Sequence, residues 1–371
     1  MPQDHIRRRP SSRERFLTAL RGGEPDYVPL FDFLDSQPLY EAVLGRRPSA
    51  YNACDTVELS LELGMDAVFV PFGGFKGYTA EIQTRDESGV YTDEWGTTYK
   101  NTGASWPAAA PIAYPVKGPV DLNRLRVPDP TLPTRLDGIR EAHAAGRGDV
   151  AIVGGINGPL TVAFTLAGWE TFMLALHEAP TFVDDLLLVG AEYYTEACHR
   201  MIDAGVDAIC VAEDMGFASG LFMSPVQFRR HLFPLVGNLI QLIKGHDVPV
   251  LLHCDGNINL ILDELVSMGI DGYNPVERKS HMDIFTLKEK YGNRLCLVGN
   301  VDSTGTLTSG TPEEVRAEVL ELIKRVAPGG AYVLASDSDL RNEMPLANML
   351  AMIETAEAHG RYPVSASGSQ E

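Results

Sequence analysis

Short apolar runs alternate with longer stretches of helical periodicity along this chain of 371 residues. The apolar runs fall at residues 28–33, 67–71, 150–154, 208–212, 249–252, 272–274, 295–298 and 332–335. They are short, rich in Val, Ile and Leu, and bounded by Gly, Pro, Asn or Asp, which predicts buried strands. Between them, apolar residues recur at helical spacing over 53–63, 181–202, 225–243, 258–267, 312–326 and 347–359. Regular alternation of this kind predicts a parallel sheet with right-handed crossovers. Eight strands predict an α/β fold closed as a (β/α)8 TIM-type barrel.

One segment breaks the rhythm. Residues 81–101 alternate with period two about a turn at 87–89, which predicts a β-hairpin inserted after the second strand. The proline-rich stretch 102–133 reads as extended loop. No Gly/Ser/Pro linker or fixed-period repeat divides the chain, so a single domain over 12–362 is expected, with 1–11 and 363–371 flexible.

The formal net charge of −19 changes the picture of partners, because an acidic surface repels phosphate backbones and anionic membranes. No nucleic-acid or membrane partner is expected. The most apolar stretch, 151–169, is interrupted by Asn157, Pro159 and four glycines, so it reads as strand, loop and helix rather than a membrane span. Five scattered cysteines without a CxxC pair point to a reducing, cytoplasmic setting. The basic start lacks the apolar core of a secretory signal. Neither GxGxxG nor GxxxxGK[ST] occurs.

In a barrel, polar residues just beyond the strand ends are the candidates for chemistry. Here those positions hold Asp32 and Asp35, Glu213-Asp214, His253-Cys254-Asp255, Asn274, Asn300-Val301-Asp302 and Asp337-Ser338-Asp339. Each Asp or Asn alone could cap the following helix. Together they imply a polar site, because buried polar groups are costly unless used. His253 and Asp255 share a face and Cys254 points away, as a small buried residue. Imidazole with carboxylate suits Zn²⁺, with Glu213, Asp302 or Asp337 completing the set; His253 could equally be an acid/base or a structural histidine. Of the consecutive pair Glu213 and Asp214, only one can reach the cavity, and Asp214 is the expected one. His177, His199, His231 and His359 lie in helical stretches and read as packing or surface residues; Trp95 and Trp169 could be pocket walls, though large aromatics are usually core, and Arg229-Arg230 reads as a solvated helix face.

Several segments together resemble the uroporphyrinogen decarboxylase superfamily: SRERFLTALRGGEPDYVPLF at 12–31, VLLHCDGNI at 250–258, DGYNPVE at 271–277, LKEKYGNRLCLVGNVD at 287–302, and GGAYVLASDSD with MPLANMLAMIETA near the end. The resemblance implies a distorted (β/α)8 barrel, a homodimer, and one of two activities. One is cofactor-free decarboxylation of uroporphyrinogen. The other is methyl transfer to or from corrinoid proteins and thiols, with zinc activating the acceptor. Decarboxylases of this kind carry an arginine-rich opening, where this chain has Phe31-Asp32-Phe33-Leu34-Asp35-Ser36-Gln37. Zinc methyltransferases carry His-x-Cys-Gly and a later cysteine; here these places hold His253-Cys254-Asp255-Gly256 and a position near Ser336 or Asp337.

The leading expectation is therefore a zinc-assisted methyltransferase. Its metal would be held by His253, Asp255 and Glu213 or Asp337. Asp214 would orient the substrate, with Asp32, Asp35, Asn300 and Asp302 around it. The corrinoid would reside on a separate protein. The alternatives are a metal-free decarboxylase in which His253 moves a proton and Asp214 or Asp32 stabilises charge, and a non-catalytic binding protein.

Overall fold

The computed structural model describes residues 11–74, 84–85, 89–100 and 109–364. Seven parallel strands follow one another in a single curled sheet: β1 (Ala67–Pro71), β2 (Ala151–Asn157), β3 (Ala208–Ala212), β4 (Val250–His253), β5 (Gly272–Asn274), β6 (Cys296–Val301) and β7 (Tyr332–Ser336). Each pairs with its neighbour in the chain order, as right-handed β-helix-β units require.

Residues 28–33 fill the eighth place. Leu30 bridges Leu334 in parallel, Leu334 N–H donates to Pro29 O at 2.9 Å, and on the other side Asp66 N–H donates to Leu30 O at 2.8 Å. Pro29 has no N–H to give, so the segment bonds both edges without building a regular ladder. The expected first strand thus closes the barrel as an irregular stave.

Side chains alternate along the strands between two cores. Val68, Val70, Ile152, Ile209, Val211, Leu252 and Leu297 face outward against the helices. Ala67, Ala151, Val153, Ala208, Cys210, Leu251, Val298, Val333 and Ala335 face the barrel axis. These inward residues are mostly small. The remaining space at the amino-terminal end is filled by Phe16 and Leu20 of the helix Ser12–Leu20, which plugs the barrel floor. Gly272 accommodates this plug: a Cβ there would stand 2.6 Å from Leu20 Cδ1.

The insertion after β1 is larger than a hairpin. The strands Thr84–Arg85, Val90–Thr92, Thr98–Lys100 and Ala110–Ala113 form a four-stranded antiparallel sheet in sequence order. Ala110–Ala113 lies inside the stretch expected to be loop. Most of the turn at 87–89 falls outside the described residues, as do 1–10 and 365–371 of the expected flexible ends. The long helix Pro180–Asp203 and the run Pro225–Gly245, which includes one π-helical turn over Phe228–Leu232, pack outside the barrel. Among the described residues, no single helix is long and apolar enough to cross a membrane.

Candidate active site

Inward parity, continued past the strand ends, delivers the site. On β3 the axis-facing residues are Ala208 and Cys210, and two further steps reach Asp214. On β4, Leu251 leads to His253 and then Asp255. Donor atoms of Asp214, His253 and Asp255 all lie within 4.8 Å of one another.

The surroundings fix this triad. His253 Nδ1 sits 2.7 Å from the Oδ1 of Asn274. An amide oxygen only accepts, so the proton rests on Nδ1 and the Nε2 lone pair is left for the site. Asp214 Oδ1 accepts the Asp255 N–H at 2.9 Å. The next residue, Gly256, takes φ +87° with its backbone against Gly216; a Cβ there would stand 2.1 Å from Gly216 O. Its N–H donates to Glu277 Oε2 at 2.8 Å, and Glu277 also accepts from the Ser280 hydroxyl. Cys254 is fully buried, its sulfur accepting the Met215 N–H, and takes no part.

Burial lowers the His253 pKa, but Asp255, Asp214 and the bond to Asn274 outweigh it, and the net value lies above the usual 6.5. Asp255 is pushed up to about 7 by burial, partly countered by His253 and reinforced by Asp214, Glu277 and Asp339. Both shifts favour the protonated form of each group. Asp255 Oδ1 is buried with no hydrogen-bond partner among the described residues. An orphaned carboxylate oxygen beside an imidazole lone pair and a second carboxylate is a donor set that suits a divalent metal such as zinc.

Several expected residues lie elsewhere. Glu213 does not join the triad: it faces outward, and its two oxygens accept the N–H groups of Leu160 and Thr161 at 2.8 and 2.9 Å, capping the helix Pro159–Ala167. Gly158 makes this possible, since a Cβ there would collide with the Glu213 carboxylate. Burial pushes Glu213 up to about 8 against those two bonds. Asp337 is also spent on backbone, accepting from Ser303 N–H at 2.9 Å and Arg278 N–H at 3.2 Å. Asp302 binds the N–H groups of Thr304 and Gly305 and shapes its own loop. Asn300 is buried and donates to Val276 O at 3.0 Å. Asp32 accepts from both N–H and Oγ of Ser336, at 2.7 and 3.0 Å. Asp35 is held well above the carboxylate range by burial and by Asp339 and Asp32.

Three features have a place in the site that the sequence reading did not give them. Asn274 was only one of several strand-end residues, although its place on β5 opposite His253 was implicit in the strand order. Asp339, two residues beyond Asp337, is the carboxylate of that loop whose charge reaches His253 and Asp255. The third is a cavity of about 470 Å³ over the ends of β1, β2 and β3, with Asp214 in its wall. Phe69, Phe72, Trp95, Tyr99, Tyr193 and Tyr194 line it. Phe69 packs on Phe33 at 4.8 Å between centroids, and Phe33 on His253 at 5.2 Å, so rings connect cavity and triad. Gly155 leaves room for Phe69, whose ring atoms a Cβ would meet at 2.2 Å. The inserted sheet supplies Trp95 and Tyr99. Trp95, a pocket-wall candidate from the sequence, does line the cavity; the doublet Tyr193-Tyr194 is a further signal, disguised as core by a long amphipathic helix.

Comparison with known proteins bears on this arrangement. The family model for uroporphyrinogen decarboxylase (URO-D) matches residues 107–359. The methylcobamide:CoM methyltransferase MtaA of Methanosarcina barkeri is 28% identical over 364 residues, covering 94% of this chain and 98% of the relative. A uroporphyrinogen decarboxylase of Chlorobium phaeobacteroides is 28% identical over 225 residues, covering 57% of this chain and 60% of the relative. The solved structure of a methyltransferase from Methanosarcina mazei superposes with a TM-score of 0.73 at 28% identity, over 94% of this chain and 98% of that one. Its fold is therefore shared from end to end, and the relatives are enzymes. With a curled parallel sheet, a strand-end triad and a family match over more than half its length, the chain belongs to the uroporphyrinogen decarboxylase (URO-D) family.

Proposed function

We propose that this chain is a methyltransferase that moves a methyl group between a small molecule and a corrinoid carried on a separate protein, with zinc held by His253, Asp255 and Asp214. The observation that carries the reading is the triad itself, with donor atoms within 4.8 Å and Asp255 Oδ1 buried and unpartnered, in a chain similar to a methylcobamide:CoM methyltransferase over nearly its full length. When bound, zinc would supply Lewis acidity to the heteroatom that gives or takes the methyl group. The chain's own residues do the rest. Asn274 keeps the Nδ1 proton in place so that Nε2 faces the site. Glu277 and the Gly256 turn hold the Asp255 loop against β3. Asp214 joins triad and cavity and orients the substrate. We place the enzyme in the cytoplasm, which five unpaired cysteines support, and as a homodimer, which the family resemblance implies.

A second reading is metal-free decarboxylation, favoured by one observation: His253 and Asp255 stand together at the barrel mouth, where an imidazole beside a carboxyl whose Oδ1 is buried and unpartnered could deliver a proton to a carbanion. Asp32 cannot serve there, since Ser336 engages both its oxygens. Metal analysis of the purified protein beside a His253→Ala/Asp255→Ala double variant separates the readings. Near-stoichiometric zinc that disappears in the variant supports methyl transfer. Equal or absent metal in both proteins sinks the zinc proposal and leaves the decarboxylase.

A further inference from the structure

We propose that the cavity beside Asp214 is a site for a methylated onium cation, such as a quaternary ammonium group. Only the role of this ligand as methyl source rests on the methyl-transfer reading; its binding does not.

The walls argue for a cation first by charge. Among the described lining residues, the ionisable acids are Asp93, Glu94 and Asp214, and the one cationic side chain is Arg135. Arg135 is spent: its two terminal nitrogens meet the two Glu94 oxygens at 2.5 Å each, and Nε donates to Asp129 O at 3.2 Å. Among the described lining residues this leaves two more carboxylates than guanidinium groups and no uncommitted cationic side chain to receive an anion. A polycarboxylate is therefore a poor occupant.

Shape and surface add the second argument. Tyr193 meets Phe72, Trp95 and Tyr194 with interplanar angles of 73°, 66° and 85°. Rings set at steep angles form the sides of a box rather than a stack. Burial pushes Tyr194 up to about 12, so it stays a neutral phenol with an electron-rich face. Aromatic boxes with adjoining carboxylates attract soft, weakly hydrated cations that offer no hydrogen bond, which is the character of a methylated ammonium. The volume of about 470 Å³ exceeds such a head group and leaves room for the remainder of a small molecule.

The test compares choline with its neutral carbon isostere, 3,3-dimethyl-1-butanol, and with benzoate, by titration calorimetry on the protein as purified. Choline is expected to bind about tenfold or more tightly than the isostere, with benzoate not competing. A Trp95→Leu variant, which keeps an apolar wall, is expected to lose about tenfold for choline and little for the isostere. Equal affinity for choline and isostere, tighter benzoate binding, or no choline binding overturns the proposal, whatever the metal content. Choline binding in a protein without metal or methyl transfer keeps the cavity assignment and removes the methyl-transfer reading alone.

Discussion

Asn274 and His253 are register partners on adjacent strands, and their side chains meet at 2.7 Å at the barrel mouth. The sheet's own pairing thus sets the tautomer of the site histidine. Replacing Asn274 by Leu frees the ring without touching the triad's donor atoms. Zinc affinity, read by competition with a chelating dye, is expected to fall roughly 10–100-fold, with the urea midpoint little changed. Unchanged affinity would show that the ring is held by something else.

Glu213 and Asp214 are consecutive carboxylates with opposite duties, and substitution should separate them. Glu213→Gln keeps one acceptor oxygen but sets an NH2 donor against the other N–H of the helix Pro159–Ala167, and is expected to cost about 1–2 kcal/mol of stability by urea denaturation. Metal content should persist. Asp214→Asn should do the reverse, losing metal and activity while unfolding at the same urea concentration as the parent. If both variants lost stability equally, the division of labour would be wrong.

Stability should depend on pH through Asp32. Burial pushes this carboxyl up to about 8, against the lowering effect of its bonds to Ser336. Its folded-state value lies above the ordinary 3.8, so its contribution is fully present below the carboxylate range and is lost as pH rises through about 8. Asp32→Asn is expected to flatten the stability profile between pH 5 and 8 by up to about 1.4 kcal/mol per pH unit. Denaturation midpoints across that range check it; parallel profiles for parent and variant would refute it.

The barrel floor offers a coupling test. Gly272→Ala places a methyl against Leu20 and is expected to destabilise by about 1–3 kcal/mol. Leu20→Ala alone should cost about 2–5 kcal/mol through the cavity it leaves. The double variant should be more stable than the sum of the two losses implies, because the new methyl then occupies vacated space. Strict additivity would mean the two residues do not share that space.

Much of this architecture was legible because buried parallel strands are continuous apolar runs. Residues 208–212, 272–274 and 67–71 coincide with β3, β5 and β1, four more runs differ from their strands by one to three residues at an end, and 28–33 forms only the irregular stave. Parity along a strand also predicted that only one of Glu213 and Asp214 would reach the cavity, and Asp214, the expected one, does. That logic fails once the chain leaves the sheet. Asp337 keeps inward parity with Val333 and Ala335, yet the loop turns and commits it to the Ser303 and Arg278 amides. Glu213, expected among the zinc ligands, lies apart from the triad for a related reason: a helix amino terminus on a neighbouring element competes for the same carboxylate, and sequence does not show which elements adjoin. The aromatic cavity was hidden because its rings come from β1, the inserted sheet and the helix Pro180–Asp203, which are far apart in the chain.

The plug formed by Phe16 and Leu20 has a kinetic consequence. A floor sealed by helix leaves traffic to the strand-end face, so a small substrate and any large protein partner must share one doorway. With a protein as methyl partner, as proposed above, the small molecule has to load before that partner covers the mouth, and its product leaves only after the partner departs. Turnover should follow a compulsory order, with excess partner inhibiting by blocking the empty enzyme.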